Sequence, residues 1–273
     1  MPYVVTSFGL RISYADEGPR DGLPLVLIHG LMGTRAVWAD VAPALTAAGY
    51  RAVSYDLRGR GDSGAPPTGY SLADHAADLL DLMNHLALDS AVLCGLSLGG
   101  SVALEMALTH QRRVDGLVLI DSALAGFPYS EEFLAWTRRL RRTVQEQGAA
   151  AGVELWAHQH PFFARLRQAP ERFQRYLEGA RTYRANEFLH AEPPDPRNHL
   201  DHLRAVPVPA LVLAGEDDVP DFLAIAATLA TGIPQAEHRL IPDAGHLPVL
   251  EQPQAVVDAV LDWLGRQFPP APR

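Results

Sequence analysis

Gly95-Leu96-Ser97-Leu98-Gly99 follows the apolar run Ala91-Val92-Leu93-Cys94 and leads into a stretch of helical periodicity at 98–110. A serine at a sharp turn between a buried strand and a helix takes a strained backbone conformation. Glycines two positions to either side remove side chains that would collide there. The helix that follows points free N–H groups toward negative charge forming beside the serine. In this setting G-x-S-x-G reads as a nucleophile elbow. The five letters alone recur by chance, and the strand–turn–helix context is what makes Ser97 a candidate nucleophile.

Outward from the elbow, short apolar runs carrying β-branched residues lie at 25–28, 52–55, 91–94, 117–120, 210–213 and 238–241. They alternate with helix-like stretches at 36–48, 71–86, 98–110, 220–230 and 254–268. That alternation predicts an α/β fold, a mostly parallel sheet flanked by helices. Continuously apolar runs suit strands buried on both faces. Residues 3–7 and 11–14 flank Phe8-Gly9-Leu10 and read as an antiparallel hairpin. From 126 to 205 the rhythm stops, with aromatics and arginines at helical spacing and no apolar strand. We expect a helical segment at 126–205 inserted in a core made of 1–125 and 206–273. The insertion holds 12 arginines against 10 acids, the remainder 11 against 22, so the acidic balance belongs to the core. The Pro-rich end, 268–273, reads as a frayed tail.

The 273 residues, 48% hydrophobic and 20% charged, suit a globular enzyme able to bury its own core. A formal net charge of −9 argues against a nucleic-acid partner. Every basic residue is arginine, an observation with no mechanistic reading. Cys94 is the single cysteine, with no partner for a disulfide, and reads as a small core residue. No apolar segment approaches the roughly 20 residues of a membrane helix, and the N-terminus lacks a signal-peptide pattern. A cytoplasmic protein without a membrane partner is the expectation.

A serine hydroxyl needs a base. Of the 11 histidines, His246 lies in the Gly-flanked loop Asp243-Ala244-Gly245-His246 at the carboxyl end of a strand, where open α/β sheets bind ligands. The base in turn needs a carboxylate to hold its tautomer. Glu216, Asp217 and Asp218 cluster after the run at 210–213, and Asp121 after 117–120 is a further contender. Otherwise Asp121 would cap the turn into the insertion. An oxyanion hole requires two backbone N–H groups. Leu98 follows the nucleophile, and Leu31 lies in the loop His29-Gly30-Leu31-Met32-Gly33. His29 reads as a structural residue of that loop.

Together these residues resemble the α/β-hydrolase superfamily over nearly the whole chain. His29-Gly30 resembles its oxyanion loop, Asp56-Leu57-Arg58-Gly59-Arg60-Gly61-Asp62-Ser63 its D-x-R-G-x-G-x-S turn, and 95–99 its elbow. Gly245-His246 with Glu251-Gln252-Pro253 resembles its histidine loop. The resemblance implies that the acid falls third after Gly215, at Asp218, with Asp217 the neighbouring alternative. It also implies that the insertion is a cap whose aromatics close the pocket. Phe127, Trp136 and Trp156 are the candidates for substrate contact, with Phe162 and Phe163 beside them. Core packing is the competing role for each.

Lesser features read plainly. Arg138, Arg139, Arg141 and Arg142 mark a solvated helix face rather than a carboxylate site. His158 with His160, and His199 with His202, read as surface histidines, with no metal implied. Asp74, Asp78 and Asp81 read as the wet face of one helix, and Arg60-Gly61-Asp62 belongs to the turn.

The reaction expected is acyl transfer to water through Ser97, without metal or cofactor, on a small, partly apolar ester or lactone. Carboxylesterase leads and lactonase follows. C–C hydrolase and perhydrolase chemistry share the same triad, whereas a dehalogenase of this family carries Asp where Ser97 stands. The other class is a ligand-binding or receptor protein with an idle triad. Oligomeric state is not readable.

Overall fold

The computed structural model describes residues 2–190 and 196–269. Its strands are β1 (Tyr3–Val5), β2 (Arg11–Glu17), β3 (Pro24–Ile28), β4 (Arg51–Tyr55), β5 (Ala91–Leu96), β6 (Val114–Ile120), β7 (Ala210–Gly215) and β8 (Ala236–Ile241). They form one sheet in the order β1-β2-β4-β3-β5-β6-β7-β8, with β1–β2 and β2–β4 antiparallel and every other pairing parallel. The α/β expectation holds.

Period-two alternation divides the core. Leu25, Leu27 and Cys94 face one apolar layer, while Val26, Ile28 and Leu93 face the other. The first layer is closed by α1 (Ala42–Ala47) and by α10 (Pro253–Gln267), the second by α2 (Leu72–His85), α3 (Leu98–Thr109) and α8 (Pro220–Gly232). Between β6 and β7 run α4 (Glu131–Gln147), α5 (Ala149–Gln159), α6 (Pro170–Ala180) and α7 (Asn186–Leu189), and α9 (Pro248–Glu251) precedes α10. No helix among the described residues is long and apolar enough to cross a membrane.

Four local expectations need correction. The stretch at 36–48 is not one helix but a 3-10 turn, Arg35–Trp38, followed by α1. Pro43 cannot donate within a continuous helix and is accommodated in the first turn of a new one. β8 is an edge strand and not buried on both faces; its Glu237 and Arg239 pair with Arg266 and Asp262 on α10. Asp78 is no part of a wet face. It is 1% exposed and held by Arg58 through Nε at 2.6 Å and Nη2 at 2.8 Å. The surface reading of the paired histidines fails for His160, stacked on Trp156, and for His199, whose Nε2 meets buried Glu105 at 2.8 Å. Residues 270–273 of the tail and 191–195 of the insertion lie outside the described residues.

Candidate active site

β3 connects to β4 on one side and its neighbour β5 to β6 on the other. Their loops part between the carboxyl ends of these two strands, the crevice where such sheets bind ligands. Ser97 sits there, between β5 and α3, with φ 53° and ψ −115°, a conformation L-residues rarely adopt. Close approach explains the flanking glycines. A Cβ at Gly95 would lie 2.3 Å from the Gly99 carbonyl oxygen, and one at Gly99 would lie 2.2 Å from that of Ile28. Neither position tolerates a side chain.

The loop after β7 is tied to the loop after β8 by the backbone. Glu216 N–H donates to Ile241 at 3.0 Å and Asp217 N–H to Ala244 at 2.8 Å. This brings Asp218 to His246. The imidazole Nδ1 lies 2.8 Å from Asp218 Oδ2, and its Nε2 lies 3.0 Å from Ser97 Oγ. With the proton on Nδ1, Nε2 accepts from the serine hydroxyl. Asp217 turns outward instead and pairs with Arg165, from the segment between β6 and β7, while Glu216 is exposed. Asp121 does not cap the turn beside it; its Oδ1 accepts from Gly215 N–H at 3.0 Å.

Burial governs the electrostatics. Burial drives His246 down from its ordinary 6.5 because its charged form loses hydration, although nearby Glu251 favours the charge. The same burial pushes Asp218 up. His29 is driven down to about 3 by burial. Its Nδ1 donates to Gly30 O at 2.8 Å and its Nε2 accepts from Leu57 N–H at 3.0 Å, which holds the Leu31 loop. Burial raises the Cys94 thiol to about 12, so no thiolate forms there near neutrality.

Ser97, Leu31 and Leu98 share one cavity of about 220 Å³. As the first residue of α3, Leu98 has an N–H without a carbonyl one turn back. Gly30 allows the close approach of the other loop, since a Cβ there would sit 3.2 Å from Ser97 Cβ. Of the five aromatics expected at the pocket, Trp156, Phe162 and Phe163 line this cavity. Phe127 and Trp136 do not. Phe127 packs on the layer formed by α2, α3 and α8, and Trp136 sits edge-on to His160 in a separate hollow under Arg139. Spacing along α4 could not distinguish these roles, because the hollow and the cavity share the wall Phe133. Arg138, Arg139, Arg141 and Arg142 are exposed. Sequence reasoning gave no role to Tyr129, Phe133 or Phe222, which crowd together over the site. No local pattern singles them out.

Residues 24–253 match the alpha/beta hydrolase fold family. A thermophilic esterase from Thermogutta terrifontis is 31% identical, with a TM-score of 0.81 over 97% of this chain and 98% of that one. The enol-lactonase from Burkholderia xenovorans LB400 is 26% identical, with a TM-score of 0.82 over 96% and 99%. A putative 2-succinyl-6-hydroxy-2,4-cyclohexadiene-1-carboxylate synthase of Bacillus subtilis is 28% identical over 96% of this chain and 97% of its own.

Proposed function

The chain belongs to the alpha/beta hydrolase family, and on that footing we propose that it is a serine hydrolase of small, uncharged carboxylic esters or lactones. The observation that carries this reading is the unbroken relay from Ser97 Oγ through His246 to Asp218, opening into the cavity. His246 takes the hydroxyl proton as Ser97 Oγ bonds to the carbonyl carbon. The carbonyl oxygen, now anionic, is met by the N–H groups of Leu31 and Leu98. His246 then returns the proton to the leaving alcohol, and the ester C–O bond breaks. Water, deprotonated by the same imidazole, releases the acid and restores Ser97. Asp218 holds the tautomer and stabilises the transient imidazolium.

The lining favours apolar substrates. No Asp, Glu or Arg lines the cavity among the described residues, so a substrate carboxylate would enter without a counter-charge. The volume of about 220 Å³ suits a short acyl chain. The esterase and enol-lactonase likenesses support the same class of bond. Helices α4–α7, in this reading, act as the cap that sets specificity.

Purified protein should release p-nitrophenol from short-chain p-nitrophenyl esters, and Ser97→Ala should lose roughly two to three orders of magnitude or more of that rate. A fluorophosphonate should label Ser97. Absence of both turnover and labelling would defeat the hydrolase reading and favour a ligand-binding protein.

A further inference from the structure

Two buried carboxyls lie on the side of His246 away from the serine. Asp218 is well supplied with donors: His246 Nδ1 at 2.8 Å on Oδ2 and Val219 N–H at 2.7 Å on Oδ1. Asp121, fully buried at the end of β6, fastens β6 to β7. Its N–H donates to Leu213 O at 2.8 Å and its Oδ1 accepts from Gly215 N–H at 3.0 Å. These bonds hold Asp121 at φ 40°, a conformation costly for a residue with a Cβ. The other oxygen, Oδ2, is buried with no donor among the described residues. One carboxyl oxygen of each aspartate and a ring nitrogen of His246 lie within 4.8 Å of one another.

Two like charges in so dry a place cannot both persist, so the pair retains a proton. Asp218 receives two donors and Asp121 one, so the charge is better held on Asp218. We propose that Asp121 is a positioning residue whose protonated Oδ2 donates a hydrogen bond to Asp218, fixing the carboxylate that orients His246. The inference rests on the reading of Ser97, His246 and Asp218 given above. It accounts for the orphaned oxygen and spares the imidazole a second full negative charge. Burial, with the Asp218 charge beside it, holds the Asp121 carboxyl well above the usual range. The other titratable groups facing this cluster are Glu251 on α9, bonded through Oε2 to Gly245 N–H at 2.6 Å, and His160.

The test is the titration of His246 by NMR in histidine-labelled protein, for wild type, Asp121→Asn and Asp121→Leu. An asparagine amide still donates to Asp218 and still accepts from Gly215. It should leave the midpoint within about 0.3 unit of wild type. Leucine removes the donor, leaves the Asp218 charge more available to the imidazolium, and should raise the midpoint. In turnover, kcat should fall roughly tenfold in the leucine variant, the worth of one bond to a charged group, and hold in the asparagine variant. A fall of about one unit in Asp121→Asn would mean that Asp121 is ionised and would overturn the proposal. So would two variants that leave the midpoint unmoved, which would make Asp121 a purely structural tie. Should the leucine variant not fold, the carboxyl carbon of Asp121 in labelled wild type decides: it must keep the shift of a protonated acid through pH 7. None of these titrations requires turnover, so a protein inert toward esters would defeat the catalytic reading and not this one.

Discussion

The Phe162 ring lies flat on the His246 imidazole, centroids 3.5 Å apart and planes within 9°. Phe222 closes an edge of the same imidazole at 4.5 Å and 81°. Phe162, from the segment between β6 and β7, and Phe222 of α8 thus keep water from the proposed base. A base acts only when neutral, and burial favours the neutral form, so activity should persist below pH 6.5. Phe162→Ala admits water to the ring and should move the acid limb of kcat/KM up toward 6.5. A pH–rate profile with an uncharged ester reads this directly; an unmoved limb would mean that something other than Phe162 dries the imidazole.

Asp218 and Asp217 are neighbours with opposite surroundings. Asp218→Asn should cut kcat by roughly 10³ to 10⁴, because the imidazole loses the carboxylate that holds its tautomer. Asp217→Asn breaks a half-exposed pair with Arg165, worth about 0–1 kcal/mol, and should leave kcat within a few-fold. Steady-state kinetics of the two variants separates them, and the reverse order would reassign the acid.

Asp78 should matter to stability and hardly to chemistry. Asp78→Ala takes from the Arg58 guanidinium, itself 5% exposed, the carboxylate it is hydrogen-bonded to, leaving only that of Asp74 at 3.8 Å, and should cost about 3–5 kcal/mol in urea unfolding. Asp74, four residues earlier, forms a capping box with Ser71, and its alanine variant should cost about 1 kcal/mol. Equal losses would contradict the burial of the first pair.

His29 couples stability to pH. Its folded value of about 3 lies below the ordinary 6.5, so between these the unfolded chain binds the extra proton. The stability it contributes is therefore present above pH 6.5 and is lost as pH falls, by about 1.4 kcal/mol per unit. His29→Asn should be less stable than wild type at pH 7.5, and the gap should narrow toward pH 5. Denaturant curves at several pH values would show it; a constant gap would place the titration elsewhere.

Much of this site is written locally. The elbow is legible at 95–99 because backbone strain and close packing demand glycine at fixed offsets from Ser97, and those offsets survive in any fold that uses them. Likewise the strands carry their own periodicity, and the chain order Ser97, acid, His246 needs no coordinates. Which of three consecutive acids reaches the imidazole was a different kind of question. It turned on the bonds that tie Glu216 and Asp217 to residues 241 and 244, and on Arg165 drawing Asp217 outward.

Burial was the part that spacing could not supply. Asp78, His160 and His199 sit at positions that read as wet, yet Asp78 meets Arg58, His199 meets Glu105 of α3, and His160 lies under Phe133 and Trp136 of α4. Trp136 and Phe127 were chosen for their chemistry and lie off the cavity, while Phe162 lies on His246. Sequence alone determined the backbone geometry around Ser97 and the order of the groups, because local sterics and periodicity encode those directly. Only the tertiary structure decided which carboxylate meets His246 and what keeps it dry, because those depend on side chains that meet across long stretches of chain.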